Sequence, residues 1–328
     1  MTPNPLRRFA RLLLPALLGG AMSAVGAAPA GEAWPQKSVT LVVPFPAGSA
    51  TDQLARVLGE QLQKELKQPF VIDNKAGANG SIGTAAAAKA APDGYTLLVA
   101  TSTTHAANAS LYRRLPYDPI KDFAPVSRLA QIPFVMLVNP QLPAAKPQEL
   151  VALIQKNPGK YSWGSGSSGS LIPGHALVSA NKLDMVHVPY KGVPPAIMDT
   201  IGNTIQLVFA DTANAVPQVK AGKLKALAVT SSREHPMLPG VPPMSTVVPG
   251  FEMTAWFALY APAGTPPEII QRLNRSVQRA LAEPAAREKL APSGFELGTG
   301  SPDELGLFAA KETLKWAKAV KSAGITPE

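Results

Sequence analysis

The chain has 328 residues, of which 46% are apolar, 16% are charged and none is cysteine. That is enough apolar mass for one large or two modest domains, and too little charge for a coiled coil or a solvating tail. Lack of cysteine excludes a disulfide scaffold, an iron–sulfur centre, a thiolate zinc site, a thiol nucleophile and a cysteine-linked lipid, while the net charge of +9 raises nucleic acid as a partner.

Arg7, Arg8 and Arg11 open the chain, and residues 1–30 contain no Asp or Glu. The apolar run from Leu12 to Ala28 is broken by Pro15 and Gly19-Gly20 and ends in Ala28-Pro29-Ala30. This is the layout of a cleaved export signal, too short and too punctuated for a membrane span. Cleavage is expected after Ala30, since a cut after Ala28 leaves Pro29 just beyond it. Removing residues 1–30 leaves 28 basic against 22 acidic residues, a net +6. The basic residues are scattered, with Lys220, Lys223 and Lys225 the densest group, and few aromatic residues lie among them. Nucleic-acid readers concentrate charge on one face and interleave stacking rings, so no nucleic acid is expected as a partner. A mildly basic surface suits anionic ligands, and the mature chain is expected in the periplasm.

From Trp34 onward, strand and helix patterns alternate. Ser38–Val43 is a β-branched strand stopped by Pro44-Phe45-Pro46. Thr51–Leu66 carries Leu54, Val57, Leu58, Leu62 and Leu66 at helical spacing, with Ser49 or Thr51 as N-cap. Phe70–Asp73 is a short strand, and the glycine-rich turn Gly77–Gly83 leads into an alanine-rich helix over Ile82–Ala90. Pro92-Asp93-Gly94 turns the chain into a strand over Tyr95–Ala100. Strands are then predicted at Phe134–Val138, Tyr161–Trp163, Val186–Pro189, Ile205–Ala210, Leu224–Thr230 and Phe257–Tyr260. Helices are predicted at Pro147–Lys156 and Pro195–Ile201, from Pro266 to about Ala282, and from about Pro302 to Lys321. This order implies an α/β fold with a largely parallel sheet. No flexible linker separates its parts, so any two domains are joined by ordered crossing segments.

Ligands of such sheets bind beyond the carboxyl ends of the strands, where helix N-termini present unpaired N–H groups. Four loops there have suitable chemistry: Pro46–Asp52, Gly77–Ser81, Thr101–His105, and Gly164–Ser170 with its four serines. Gly164–Gly169 also matches G-x-G-x-x-G, but Asp184 precedes the next strand instead of ending it, so a dinucleotide site is not supported. The four histidines, His105, His175, His187 and His235, form no metal-binding helical pair, and no G-x-S-x-G elbow is present. No metal or cofactor is expected. The residues leave an exported serine hydrolase open as the alternative function, using Ser165, Ser167 or Ser168 with His175 or His105.

From Trp34 to the C-terminus the chain resembles the Bug family of bacterial periplasmic solute-binding proteins, the TctC-like receptors of tripartite tricarboxylate transport systems. The matching segments are Pro44–Asp52, Asn74–Gly83, Pro92–Leu98, Val188–Gly192, Gly222–Ser231 and Ala261–Pro266, in order and at the expected spacing. The resemblance implies a two-lobed type II periplasmic-binding fold that closes on its ligand. It implies lobes over residues 34–132 plus 252–328 and over residues 133–251. It also implies no enzymatic activity, a small carboxylate ligand held largely by backbone amides, permease subunits of a tripartite transporter as partners, and a monomer. The binding residues it implies are Phe45, Ala47, Gly48, Ser49, Thr51, Asp52, Asn79, Gly80, Ser81, Thr101, Thr103, His105, Ser165, Gly166, Ser167, Ser168 and Asp211. Ser49 and Asn79 each stand where the family often has glycine; Asn79 tolerates the left-handed geometry that such a turn needs.

Overall fold

In the computed structural model, which describes residues 34–328, the chain alternates as its patterning predicts. The export signal placed at residues 1–30 lies outside the described residues. The buried run Val39–Val43 (β1) is followed by Ala50–Leu66 (α1) and Phe70–Asn74 (β2). Ser49 caps α1 by accepting a hydrogen bond from the Asp52 N–H at 3.3 Å, and Leu54, Leu58 and Leu62 are fully buried along one stripe. A 3₁₀ turn, Ala78–Gly80, leads into Ser81–Ala88 (α2) and Thr96–Thr101 (β3). The segment after β3, expected as a polar loop, is instead helical, with a π turn over Thr103–Ala107 running into Asn108–Leu111 (α3).

The long strand Phe123–Val138 (β4) precedes a second run of alternating elements. These are Pro147–Gln155 (α4), Ser162–Ser165 (β5), Ser168–Ala180 (α5), Val186–Pro189 (β6) and Val193–Ile201 (α6). Leu207–Asp211 (β7), Thr212–Lys220 (α7) and Lys225–Val229 (β8) complete that run. Thr254–Pro262 (β9) then leads to Pro267–Ala282 (α8), Pro284–Leu290 (α9), Glu296–Leu297 (β10) and Pro302–Ser322 (α10). No helix among the described residues is long and apolar enough to cross a membrane.

The strands lie in the order β2-β1-β3-β9-β4-β7-β5-β6, with β8 and β10 also pairing with β4. The expected largely parallel sheet is in fact mixed. Parallel pairing is confined to β2-β1-β3 and β7-β5-β6, and every pairing that involves β4 or β9 is antiparallel. The reason is that β4 serves both halves of the sheet. Its first part pairs with β9, while Phe134–Val138 pairs with β7 and β8. The strand predicted over Phe134–Val138 extends back to Phe123, with Pro125 and Pro133 inside β4 and register shifts at Pro125/Ser127 and Arg128/Ala130 in its pairing with β9. Thr230, fully buried, fastens this crossing. Its hydroxyl accepts from the Phe134 N–H at 2.8 Å and donates to the Met253 carbonyl at 2.6 Å.

Candidate ligand-binding site

The carboxyl ends of β1, β3, β5 and β7 bring the starts of the segments that follow them together. After β1, Gly48 takes a left-handed conformation (φ 81°) that turns the chain into α1. The Asp52 carboxylate then holds the loop closed. It accepts from the Gly48 N–H at 2.9 Å, from Arg56 Nε at 2.9 Å and from Asn74 Nδ2 at 3.0 Å. After β5, Ser167 and Ser170 cap α5 reciprocally, which turns the serine-rich segment into an ordered helix start. After β7, Asp211 caps α7, its Oδ1 accepting from the Asn214 N–H at 3.0 Å and from Nδ2 at 2.9 Å.

Two neighbouring cavities result, with Ser167 lining both. The inner one has a volume of about 40 Å³ and is lined by Phe45, Ser49, Thr51, Thr101, Thr103, Ser167 and Asp211 among others. It has space for a few water molecules or one small polar group. No Lys or Arg lines it, and the Thr101 hydroxyl, buried there, has no hydrogen-bond partner. Burial pushes the Asp211 carboxyl up, against the lowering effect of the Asn214 bonds. The outer cavity, of about 340 Å³, is lined by Asn79, Ser165, Gly166 and Ser167, and by Tyr112, His187, Tyr190 and Lys191.

Other residues singled out in the sequence frame these cavities without lining them. Ala47 and Gly48 are exposed, and Asp52 is committed to the loop and helix. Gly80, at φ 81°, packs beside Thr104 and Phe45, and Ser81 Oγ accepts from Asn108 Nδ2 at 3.2 Å. Ser168 is fully buried and its hydroxyl shares a 2.7 Å hydrogen bond with the Thr103 hydroxyl. That bond joins the loop after β3 to the start of α5.

His105 lies away from both cavities. Its ring is sandwiched between Phe123 and Tyr260, with centroids at 4.8 and 4.3 Å, and Nδ1 meets the Thr104 hydroxyl at 3.1 Å. Burial pushes its pKa down to about 3, so the native state keeps it neutral while the unfolded chain protonates it near pH 6.5. This contribution to stability is complete above pH 6.5 and is lost progressively as the pH falls toward 3, at up to about 1.4 kcal/mol per unit. His105→Gln should be less stable than the parent at pH 7 but show a shallower loss between pH 7 and 5 in urea unfolding. An unchanged slope would show that His105 does not carry this term.

The only serine–histidine hydrogen bond among the described residues joins Ser165 Oγ to His187 Nε2 at 2.7 Å, and it uses neither His105 nor His175. The His187 ring stacks on Trp163 at 4.3 Å, no carboxylate is hydrogen-bonded to it, and burial together with neighbouring His175 pushes its pKa down to about 4. Such an imidazole is a poor general base near neutral pH. The serine hydrolase alternative therefore has no support.

The sequence offered little signal for Phe134, Val193, Ala255 and Phe257, which complete the inner cavity. Phe134 and Phe257 read as ordinary strand residues, and Val193 and Ala255 lie just outside the predicted elements. His187, Tyr190 and Lys191 lay inside matched segments or a predicted strand, and period-two alternation in β6 sets His187 on the face opposite Val186 and Val188.

A model described as the tripartite tricarboxylate transporter family receptor matches residues 54–325 of the chain. The structure of the periplasmic binding protein BugD is 34% identical, with a TM-score of 0.86, and the match covers 90% of this chain and 100% of that one. A protein of R. palustris with adipate is 35% identical, with a TM-score of 0.86 and the same two coverages. MatC of Rhodopseudomonas palustris with bound malate is 33% identical, with a TM-score of 0.83, over 88% of this chain and 100% of that chain.

Proposed function

The chain belongs to the family of tripartite tricarboxylate transporter receptors, solute-binding proteins rather than enzymes, and from that membership we propose that its ligand is a small carboxylate held between the loops of β1, β3, β5 and β7. The observation that carries this reading is the inner cavity, which is lined by the serine caps of α1 and α5 yet by no cationic side chain. Unpaired N–H groups and the aligned peptide dipoles of two helix N-termini neutralise a carboxylate without an arginine clamp. The head group enters the inner cavity and the rest of the ligand extends past Ser167 into the outer one. The adipate- and malate-bound relatives support a dicarboxylate.

The candidate binding set is the one gathered at these cavities, with Asp52, Gly80, Ser81 and Ser168 shaping its walls. Lobes over residues 34–132 plus 252–328 and over residues 133–251 close on the ligand, hinging where β4 passes from β9 to β7 and where Thr230 ties the strands. The receptor works as a monomer, exported and trimmed after Ala30, and passes its ligand to the permease subunits of a tripartite transporter.

A thermal-shift series on residues 31–328 with succinate, malate, glutarate and adipate tests this reading. Ligand at 100 times its dissociation constant adds about 2.7 kcal/mol of stability, so at least one diacid should raise the melting temperature clearly and be recovered unchanged. No shift with any of them would refute the dicarboxylate assignment.

A further inference from the structure

One ionisable side chain lines the inner cavity. Asp211 stands there as the cap of α7, with its Oδ1 accepting two hydrogen bonds from Asn214. Three other helices reach the cavity: α1 and α5, capped by neutral Ser49 and Ser167, and α6, whose first residue Val193 lines it. The helix starts are thus unequal. α5 and α6 have no acidic residue in their first turns, the Asp52 carboxylate in the first turn of α1 is committed to Gly48, Arg56 and Asn74, and α7 alone turns a carboxylate cap to the cavity. A ligand carboxylate is drawn to the starts without one, and the part of the ligand that faces α7 meets oxygens that accept hydrogen bonds. Thr101, a residue 4% exposed, also lines this cavity, and its buried hydroxyl has no partner in the protein. A buried hydroxyl left alone is costly, and its position on the cavity wall assigns that missing partner to the ligand.

We infer that Asp211, together with Thr101, selects carboxylates that carry an O–H or N–H donor beside the acid group, such as 2-hydroxy and 2-ammonio acids, over their unsubstituted counterparts. This rests on the carboxylate-receptor reading and adds to it the chemical class of the ligand. An unsubstituted diacid leaves Asp211 facing methylene groups and gives a second buried anion nothing to offset it. A hydroxyl or ammonium donates to Asp211, and the Thr101 hydroxyl bonds the same end of the ligand.

Isothermal titration at pH 7.5 with succinate, L-malate and L-aspartate, and with glutarate and L-glutamate, tests the inference on matched carbon chains. The substituted member of each series should bind roughly tenfold tighter or more, the size of one hydrogen bond to a charged group. Comparing malate with aspartate separates a hydroxyl from an ammonium donor. Asp211→Asn keeps an equally good helix cap, so it should fold with an unchanged melting temperature and lose the preference. Thr101→Val removes a hydroxyl that bonds nothing in the protein. It should therefore keep its stability, weaken malate binding and narrow the malate-to-succinate ratio, which keeps the test valid even if Asp211→Asn does not fold. Equal affinity for succinate and malate in the parent protein, or a preference that survives both substitutions, overturns the inference while leaving the receptor reading intact. Failure of all five acids to bind the parent overturns the dicarboxylate reading, and the inference falls with it.

Discussion

Gly166→Ala is expected to abolish ligand binding at concentrations that saturate the parent protein, and to cost about 3 kcal/mol or more of stability. A Cβ on Gly166 would lie 2.0 Å from the carbonyl carbon of Gly192, 2.2 Å from its oxygen and 2.4 Å from the Val193 nitrogen. All three are backbone atoms, so no rotamer change relieves the clash and one of the two loops must move. Gly166 sits between Ser165 and Ser167 at the head of α5, and its N–H donates to Ser170 Oγ at 2.8 Å. Moving it displaces the Ser165–His187 contact and the cap that lines both cavities. Gly48→Ala provides the contrast, because a Cβ there meets nothing within 4 Å and only the positive φ of 81° is strained. That substitution should cost about 1 kcal/mol and leave more of the binding intact. Urea unfolding and titration calorimetry of both variants measure the two effects. Binding by Gly166→Ala equal to that of the parent would mean that the close approach of the two loops is not what shapes the site.

The same loops show which parts of the molecule are legible in a sequence. The β1–α1 and β5–α5 connections announce themselves because their geometry is local. Serine caps, glycines and prolines fix a turn whatever packs against it. The helices α1, α8 and α10 follow their apolar spacing to within one or two residues of the predicted ends. What the sequence hides is decided by distant partners. Pro125 and Pro133 look like strand breakers, and only pairing with β9, more than a hundred positions on, keeps both within β4. The polarity of Thr101–His105 suggests an open loop, yet Thr104 bonds back to Thr101 and the segment winds into a helical turn that packs beside α10. Read from the sequence, His105 belongs to the binding set and His187 has no role. Packing against Phe123 and Tyr260 sends the first into the core, and the register of β6 beside β5 brings the second to Ser165.

Asp52→Ala is the second large effect expected, and it separates scaffolding from ligand contact. The Asp52 side chain is buried and joins three pieces of chain: the Gly48 loop, α1 through Arg56, and the end of β2 through Asn74. Asn74 Nδ2 also donates to the Phe45 carbonyl at 3.0 Å, so the first wall of the inner cavity hangs on the same group. Arg56 is more than half exposed, and its ion pair contributes little by itself. The Gly48 N–H and the Asn74 amide, left without their acceptor, account for most of an expected loss of about 2–4 kcal/mol. The direction of the pKa gives an independent check. Burial would raise the Asp52 carboxyl, but hydrogen bonds from Arg56, Gly48 and Asn74 outweigh it and hold the group below its ordinary value. A carboxyl lowered in this way stabilises the fold fully above its unfolded value of 3.8 and loses that contribution as the pH falls through the native value. Asp52→Ala should therefore flatten the acid limb of the stability profile below about pH 4 and leave the steeper loss between pH 6.5 and 4, to which His105 and His187 both contribute, in place. Equilibrium unfolding of the parent and both variants across pH 7 to 3 resolves the two limbs. If Asp52→Ala flattened the upper limb instead, the carboxylate would not be the group that holds the loop through acid, and the wall of the site would need another anchor.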